Sequence, residues 1–229
     1  MPPSSSTPPT ASPHAPHPTQ PQHPTTGTVG GASEDPWARA AQVALADLSP
    51  GSAVLLTGGT GCLALAHHLA RTATTLAGRL PGAALTVAVT ALAPASVLAG
   101  VPGIRLIVLG GEAEAAGPDL VGPAALAALD DLHLDVAVLT PTGLDARGAW
   151  AATSAGSALA AAAVARAERT VAVVAPTALG RPGLVRAAPL SALARVVAVP
   201  APGEDAASLA YRLEAVRSGA PSAPVLVAA

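Results

Sequence analysis

The chain has 229 residues, enough for one domain with a tail, and its formal net charge of −2 gives no electrostatic footprint for nucleic acid. All 12 basic side chains are Arg, which excludes a Schiff-base lysine and a P-loop lysine; the lone Cys62 excludes an intrachain disulfide and a cysteine metal cluster. Phe is absent and Trp37, Trp150 and Tyr211 are the only aromatics, so the core must be built from Leu, Val, Ile and much Ala, in closely packed elements.

Residues 1–33 are rich in Pro, Ser, Thr and Gln and carry no charged side chain. Proline at this density blocks helices and sheet ladders, so a disordered tail is expected, followed by one domain over 34–229. His14, His17 and His23 fall in this tail at irregular spacing, separated by prolines, and do not read as a metal tract. The tail lacks the basic start and apolar stretch of a signal peptide, and no segment of the chain reads as a membrane span. A reducing cytoplasmic setting fits the single cysteine.

From Asp35 onward helices and strands alternate. Asp35 can cap a first helix with Pro36 at its first position, running to about Asp47. Val54–Leu56 reads as a buried strand, then glycines, then a helix from Cys62 to Ala70 that fades near Thr72–Gly78. Further strands are expected at Leu85–Val89, Ile104–Leu109, Asp135–Leu139, Val171–Val174, Arg195–Val199 and Pro224–Val227. Helices are expected after the second strand to about Leu98, at Ala124–Leu129, at Ala155–Glu168 and at Glu204–Val216. In the last of these Leu209, Leu213 and Val216 share one face and Tyr211 points elsewhere. Strands apolar throughout and separated by helices imply an α/β fold, a mostly parallel sheet covered on both faces.

The stretch Thr57-Gly58-Gly59-Thr60-Gly61 joins the first strand to its helix. Glycines there can turn backbone N–H groups toward one point at a helix N-terminus, which favours an anion; a tight turn needs the same glycines. Gly59 to Ala64 match the dinucleotide pattern G-x-G-x-x-A, but no Asp or Glu occurs between Asp47 and Glu112 to hold a ribose. A phosphate cradle or a bare turn remains. His67 and His68 are adjacent on one helix and cannot chelate together. Ser154, Ser157, His133 and Asp135 lie in no nucleophile elbow, and Asp130 and Asp131 read as exposed. Neither a catalytic residue nor a metal site nor a cofactor is read from the residues.

Several segments, in order, resemble the effector-binding domain of DeoR-family transcriptional regulators. Ala53 to Gly61 resembles that family's strand running into Asp-Ser-Gly-Thr-Thr, and Leu85-Thr86-Val87 its Leu-Thr-Val before Thr-Asn-Ser. Ile107 to Glu112 is similar to Leu-Leu-Gly-Gly-Glu, and Leu120 to Pro123 to Val-Gly-Pro. Asp135 to Leu139, then Gly143-Leu144-Asp145 and Gly148, resemble Asp-x-Ala-Phe-Leu-Gly and Gly-Ile-Asp. Leu184-Val185-Arg186, Pro189-Leu190 and the terminal Val225-Leu226-Val227 complete a likeness over about residues 36–229.

The resemblance implies a fold shared with ribose-5-phosphate isomerase and glucosamine-6-phosphate deaminase, a phosphorylated sugar or related metabolite as effector, and a homo-oligomer. It implies ligand or phosphate binding at Thr57, Gly58, Gly59, Thr60, Gly61, Thr90, Gly110, Gly111, Gly122 and Asp135. The polar positions depart from the family: its carboxylate in the first loop is Thr57, its Thr-Asn-Ser is Val89-Thr90-Ala91, and its lysine at the start of the long helix falls within Ala160–Ala163. Its Asp-Ser-Ser-Lys-Phe-Gly becomes the shorter Pro176 to Gly180. A degenerate pocket is therefore expected. The proline-rich tail stands where the family has a winged helix-turn-helix, so no DNA binding by this chain is expected, whether it is a stand-alone sensor or its reading frame starts late. A phosphosugar isomerase on the same fold and a partner protein that binds no ligand are the alternatives.

Overall fold

The computed structural model describes residues 35–79, 85–114, 119–220 and 224–229; the expected tail lies outside them. In chain order the elements are α1 (Pro36–Ala44), β1 (Ala53–Leu56), α2 (Cys62–Arg79), β2 (Leu85–Val89), α3 (Leu92–Leu98) and β3 (Ile104–Val108). There follow β4 (Glu112–Ala113), β5 (Leu120–Val121), α4 (Pro123–Asp130), β6 (Leu134–Leu139), β7 (Gly143–Asp145) and β8 (Gly148–Ala151). The chain continues with α5 (Ser154–Arg166), β9 (Ala167–Val174), β10 (Val185–Pro189), β11 (Arg195–Ala198), α6 (Ala206–Ser218) and β12 (Val225–Ala228).

Seven strands form one sheet in the order β12-β11-β9-β6-β1-β2-β3, every pairing parallel. Successive side chains of each strand point to opposite faces, and both faces are dry. One face carries Val54, Leu56, Val87, Val89, Val136, Val138, Val171 and Val173 under α1, α2 and α3. The other carries Leu55, Ala88, Ala137, Ala172, Val196 and Ala198 under α4, α5 and α6. The second face is richer in alanine, and more than half of α5 is Ala, so small residues meet small residues there. That is how a chain without Phe fills its interior.

Asp35 caps α1, its carboxylate accepting from the Trp37 amide at 3.1 Å, with Pro36 at the helix start. The helix ends at Ala44, earlier than the sequence suggests, and Asp47 is held by Arg169 and Arg195 instead. Conversely α2 does not fade at Thr72 but continues to Arg79. Thr74 and Thr75 lie within the helix, their hydroxyls satisfied by donating to the carbonyls one turn back, Ala70 and Arg71, at 2.8 and 2.9 Å. The helix expected to reach Glu168 stops at Arg166, and β9 begins at once, eight residues long, because it pairs with β6 from Leu134 onward.

Two small antiparallel sheets, β10-β8-β7 and β4-β5, are absent from the reading of the sequence. Their strands are two to five residues long, too short for a period to show. Both sit beside the carboxyl ends of the central parallel strands. Among the described residues no helix is long and apolar enough to cross a membrane.

Candidate functional site

A cavity of about 600 Å³ opens beyond the carboxyl ends of β1, β6 and β9. Crevices of α/β proteins lie at this end because the strands stop there and the helices begin. One wall is the loop after β1, Thr57 to Thr60, and a second is Leu139 to Thr142 after β6. Ala149 to Thr153 and the first turns of α5, with Gly156 and Ala160, make the third. Ala175, Thr177 and Ala178 follow β9, and Glu114 and Asp119 reach in from the β4–β5 hairpin. Among the described residues those two acids are the only charged side chains in the lining.

The glycine loop is closed by its own neighbours. The Gly58 amide donates to Asp119 Oδ1 at 2.6 Å and to Thr90 Oγ1 at 3.1 Å, and the Thr90 hydroxyl donates to the same carboxylate oxygen. The Gly58 carbonyl accepts from the Thr140 hydroxyl. Thr57 ties β1 to β6: its hydroxyl donates to the Val138 carbonyl at 3.3 Å and accepts the Thr140 amide at 3.2 Å. So the Gly58 amide, expected to face an anion, is already engaged by a carboxylate of the same chain.

The other two glycines of the loop answer to packing. Gly59 has φ +123°, and a Cβ there would run into Thr140. Gly61 has φ +93°, and a Cβ there would run into the Trp37 ring of α1. Both positions need glycine for backbone and space alike.

Of the sequence-selected residues, Thr57, Gly58, Gly59 and Thr60 line the cavity. Thr90 is buried just behind it, bound to Asp119. Gly61 faces Trp37. Gly110 and Gly111 are exposed between β3 and β4, Gly111 lying against the Val121 backbone with φ +142°. Gly122 caps α4 with φ +100°. Asp135 sits at the opposite end of the sheet, where its carboxylate accepts the Ala53 amide at 2.6 Å. It joins the amino ends of β1 and β6 and does not reach the cavity, because it opens its strand and the cavity lies beyond the strand's other end.

Sequence reasoning missed Asp119, Glu114 and Trp150. Burial pushes the Asp119 carboxyl above its ordinary value, Glu114 adds to the rise, and the hydrogen bonds from Thr90 and Gly58 only partly offset it. Glu114 Oε2 lies 3.7 Å from the place of a Cβ on Gly156, over the first turn of α5. That helix is capped by Thr153, whose hydroxyl accepts the Gly156 amide at 3.0 Å. Trp150 donates its indole N–H to Asp145 at 2.9 Å, and the Arg147 guanidinium lies 4.6 Å from its ring centre. Burial tends to raise Asp145, but bonds from Arg147 and Trp150 outweigh it and hold the carboxyl below its usual range. Burial also pushes the Cys62 thiol up and lowers His68.

Ser157 donates to the Arg186 carbonyl at 3.1 Å, and His133 pairs with Glu168 at the surface, so the serine–histidine constellation is not assembled. Among the described residues no group of three or more His, Cys, Asp or Glu side chains is placed to hold a metal.

A parallel α/β domain with a ligand-sized, acid-lined cavity at the strand carboxyl ends is the class that this geometry defines. The model of the DeoR C-terminal sensor domain matches residues 37–198, and the chain belongs to that family. No curated protein matches the sequence. Among solved structures, ribose 5-phosphate isomerase A from Methanocaldococcus jannaschii is 13% identical, with 64% of this chain and 55% of that one covered and a TM-score of 0.43. The isomerase from Neisseria gonorrhoeae is 10% identical, over 62% and 52%, with a TM-score of 0.42. The eIF2B delta subunit from Chaetomium thermophilum is 16% identical, over 62% and 47%, at 0.40. The chain spans about half the length of these solved structures.

Proposed function

We propose that residues 34–229 form the metabolite-sensing domain of a transcriptional regulator, regulatory rather than catalytic, and that its effector is a phosphorylated sugar or a related small metabolite. The observation that carries the reading is the cavity of about 600 Å³ between the loop after β1, the β4–β5 hairpin and the start of α5, in a chain of the sensor family. Its volume suits a ligand of sugar-phosphate size.

Thr57, Gly58, Gly59 and Thr60 form one wall of the effector site, with Thr90 and Gly61 supporting it from behind. Gly110, Gly111 and Gly122 shape the approach from β3 to α4. Among the described residues a phosphate has no Lys or Arg partner in this lining. Amides at the first turn of α5 and hydroxyls such as Thr177 are what remain for it, so binding is weak, in the high micromolar range or above. The match to a sensor-domain family supports a sensor over an enzyme. The net charge of −2 supports a domain that does not itself hold DNA, and the chain works as a homo-oligomer.

Thermal denaturation against a panel of phosphorylated and free sugars at millimolar concentration tests this. Phosphorylated sugars raise the melting temperature and their free counterparts raise it less; a ligand at a hundred times its dissociation constant adds about 2.7 kcal/mol. No response to any phosphorylated sugar overturns the effector reading. Turnover of any panel member, followed by NMR, overturns the regulatory one.

A further inference from the structure

Asp119 does two things at once. Its Oδ1 is tied down by the Gly58 amide at 2.6 Å and by the Thr90 hydroxyl, while Oδ2 accepts no hydrogen bond among the described residues. The side chain lines the cavity beside Thr57, Gly58 and Gly59. A lining carboxylate with one oxygen fixed keeps acceptor capacity that a ligand can use. It also stands where an incoming anion would meet the loop amide.

We propose that Asp119 is a specificity-determining residue: its carboxylate holds the anion position at the Gly58 amide, so this end of the cavity takes a hydrogen-bond donor, a hydroxyl or ammonium, and turns phosphate away. The inference rests on the cavity being the effector site. Two arguments support it. First, Asp119 is tethered by the same chain, so an external phosphate competes against a group that pays no association entropy. Second, a phosphate at the glycine loop would lie within a few ångströms of a carboxylate in a half-buried setting, where like charges repel strongly. Glu114, reaching in from the same hairpin, adds a second negative charge and none of the lining residues offsets either. The donor-rich end of an effector therefore meets the loop, and its phosphate lies away from it.

Sulfate is the probe, titrated against chloride at matched ionic strength and read by calorimetry and thermal shift. The wild type shows little sulfate-specific binding near neutral pH, and Asp119→Asn gains about tenfold or more in sulfate affinity. The amide keeps an acceptor for Gly58, so the fold is retained; circular dichroism checks this. A second measurement needs no variant at Asp119. Sulfate remains a dianion across mildly acid pH, so wild-type binding strengthens as pH falls through the raised Asp119 pKa. The titratable groups facing Asp119 are Glu114 on its own hairpin and Cys62 on α2. Glu114→Gln therefore keeps that pH dependence. A wild type that responds to phosphorylated sugars, with the response unchanged and no sulfate affinity gained in Asp119→Asn, overturns this inference and leaves the effector reading standing. A wild type silent to every sugar, with sulfate binding gained in Asp119→Asn, does the reverse. Sulfate affinity unchanged in Asp119→Asn and flat with pH in both wild type and Glu114→Gln overturns the inference outright.

Discussion

The two ends of the parallel sheet treat charge in opposite ways. At the amino end two acids tie elements together: Asp135 holds the Ala53 amide, and Asp47 is shared by Arg169 at 2.9 Å and Arg195 at 3.1 Å. At the carboxyl end Asp119 and Glu114 enter a cavity whose lining has no basic side chain among the described residues. One end uses its engaged acids to hold strands together. The other keeps uncompensated acids against open volume, an arrangement that costs stability and suits ligand binding. Substitutions and a pH titration break or sharpen this contrast.

The largest effect is expected from glycines at the two ends of β1. Gly51 before it and Gly61 after it both have positive φ, at +89° and +93°. A Cβ on Gly51 meets nothing within 4 Å, whereas one on Gly61 meets the Trp37 ring. Gly51→Ala should cost only backbone strain, about 1–2 kcal/mol. Gly61→Ala adds overpacking and should cost about 2–4 kcal/mol. Urea denaturation measures both; equal losses would mean that Trp37 does not press on the loop.

Asp135→Ala is expected to come next. It leaves the Ala53 amide without its acceptor, at a cost of about 1–3 kcal/mol, while Asp135→Asn loses less. A variant that keeps its stability but changes its response to ligands would move Asp135 into the site.

The acid response should differ in sign between the ends. Asp119 has a raised native pKa, so its contribution is complete below the unfolded value of 3.8 and is lost as pH rises through the native value. Asp47 is lowered, first by its hydrogen bond from Arg169 and then by the Arg195 charge; its contribution is present above 3.8 and is lost as pH falls through the native value. Urea midpoints collected across acid pH should show Asp119→Asn removing the decline above pH 3.8 and Asp47→Asn removing the decline on the acid side. Asp47→Asn itself gives the smallest change, under about 1 kcal/mol and shrinking with added salt, since its carboxylate is half-exposed.

Much of the fold is legible in the residues because it depends on local pattern. Apolar runs such as Val54–Leu56 and Asp35-Pro36 before α1 report strand and cap directly. The large parallel sheet follows from strands without a polar face. The small sheets are not legible, because Gly143–Asp145 and Glu112–Ala113 owe their pairing to tertiary position. The site divides the same way. Thr57 to Thr60 announce themselves by glycine spacing, but the carboxylate that engages them sits 61 residues further on in a stretch with no period of its own. Thr90, chosen for its place after β2, is one of the groups that bind that carboxylate. Asp135 illustrates the converse: a motif residue can be tied to a strand's amino end and not to the end that meets the cavity.

The scarcity of aromatic residues has an optical consequence. With no Phe and one Tyr, the ultraviolet emission of the chain comes almost wholly from two indoles. Trp37 is seated on Gly61 behind the glycine loop, and Trp150 stands at the cavity wall between Asp145 and the Arg147 guanidinium. Movement of the loop would change the quenching of the first, and a ligand entering the cavity would change that of the second. The molecule thus holds two native fluorophores on either side of its candidate site, resolvable by replacing one indole at a time and requiring no attached dye.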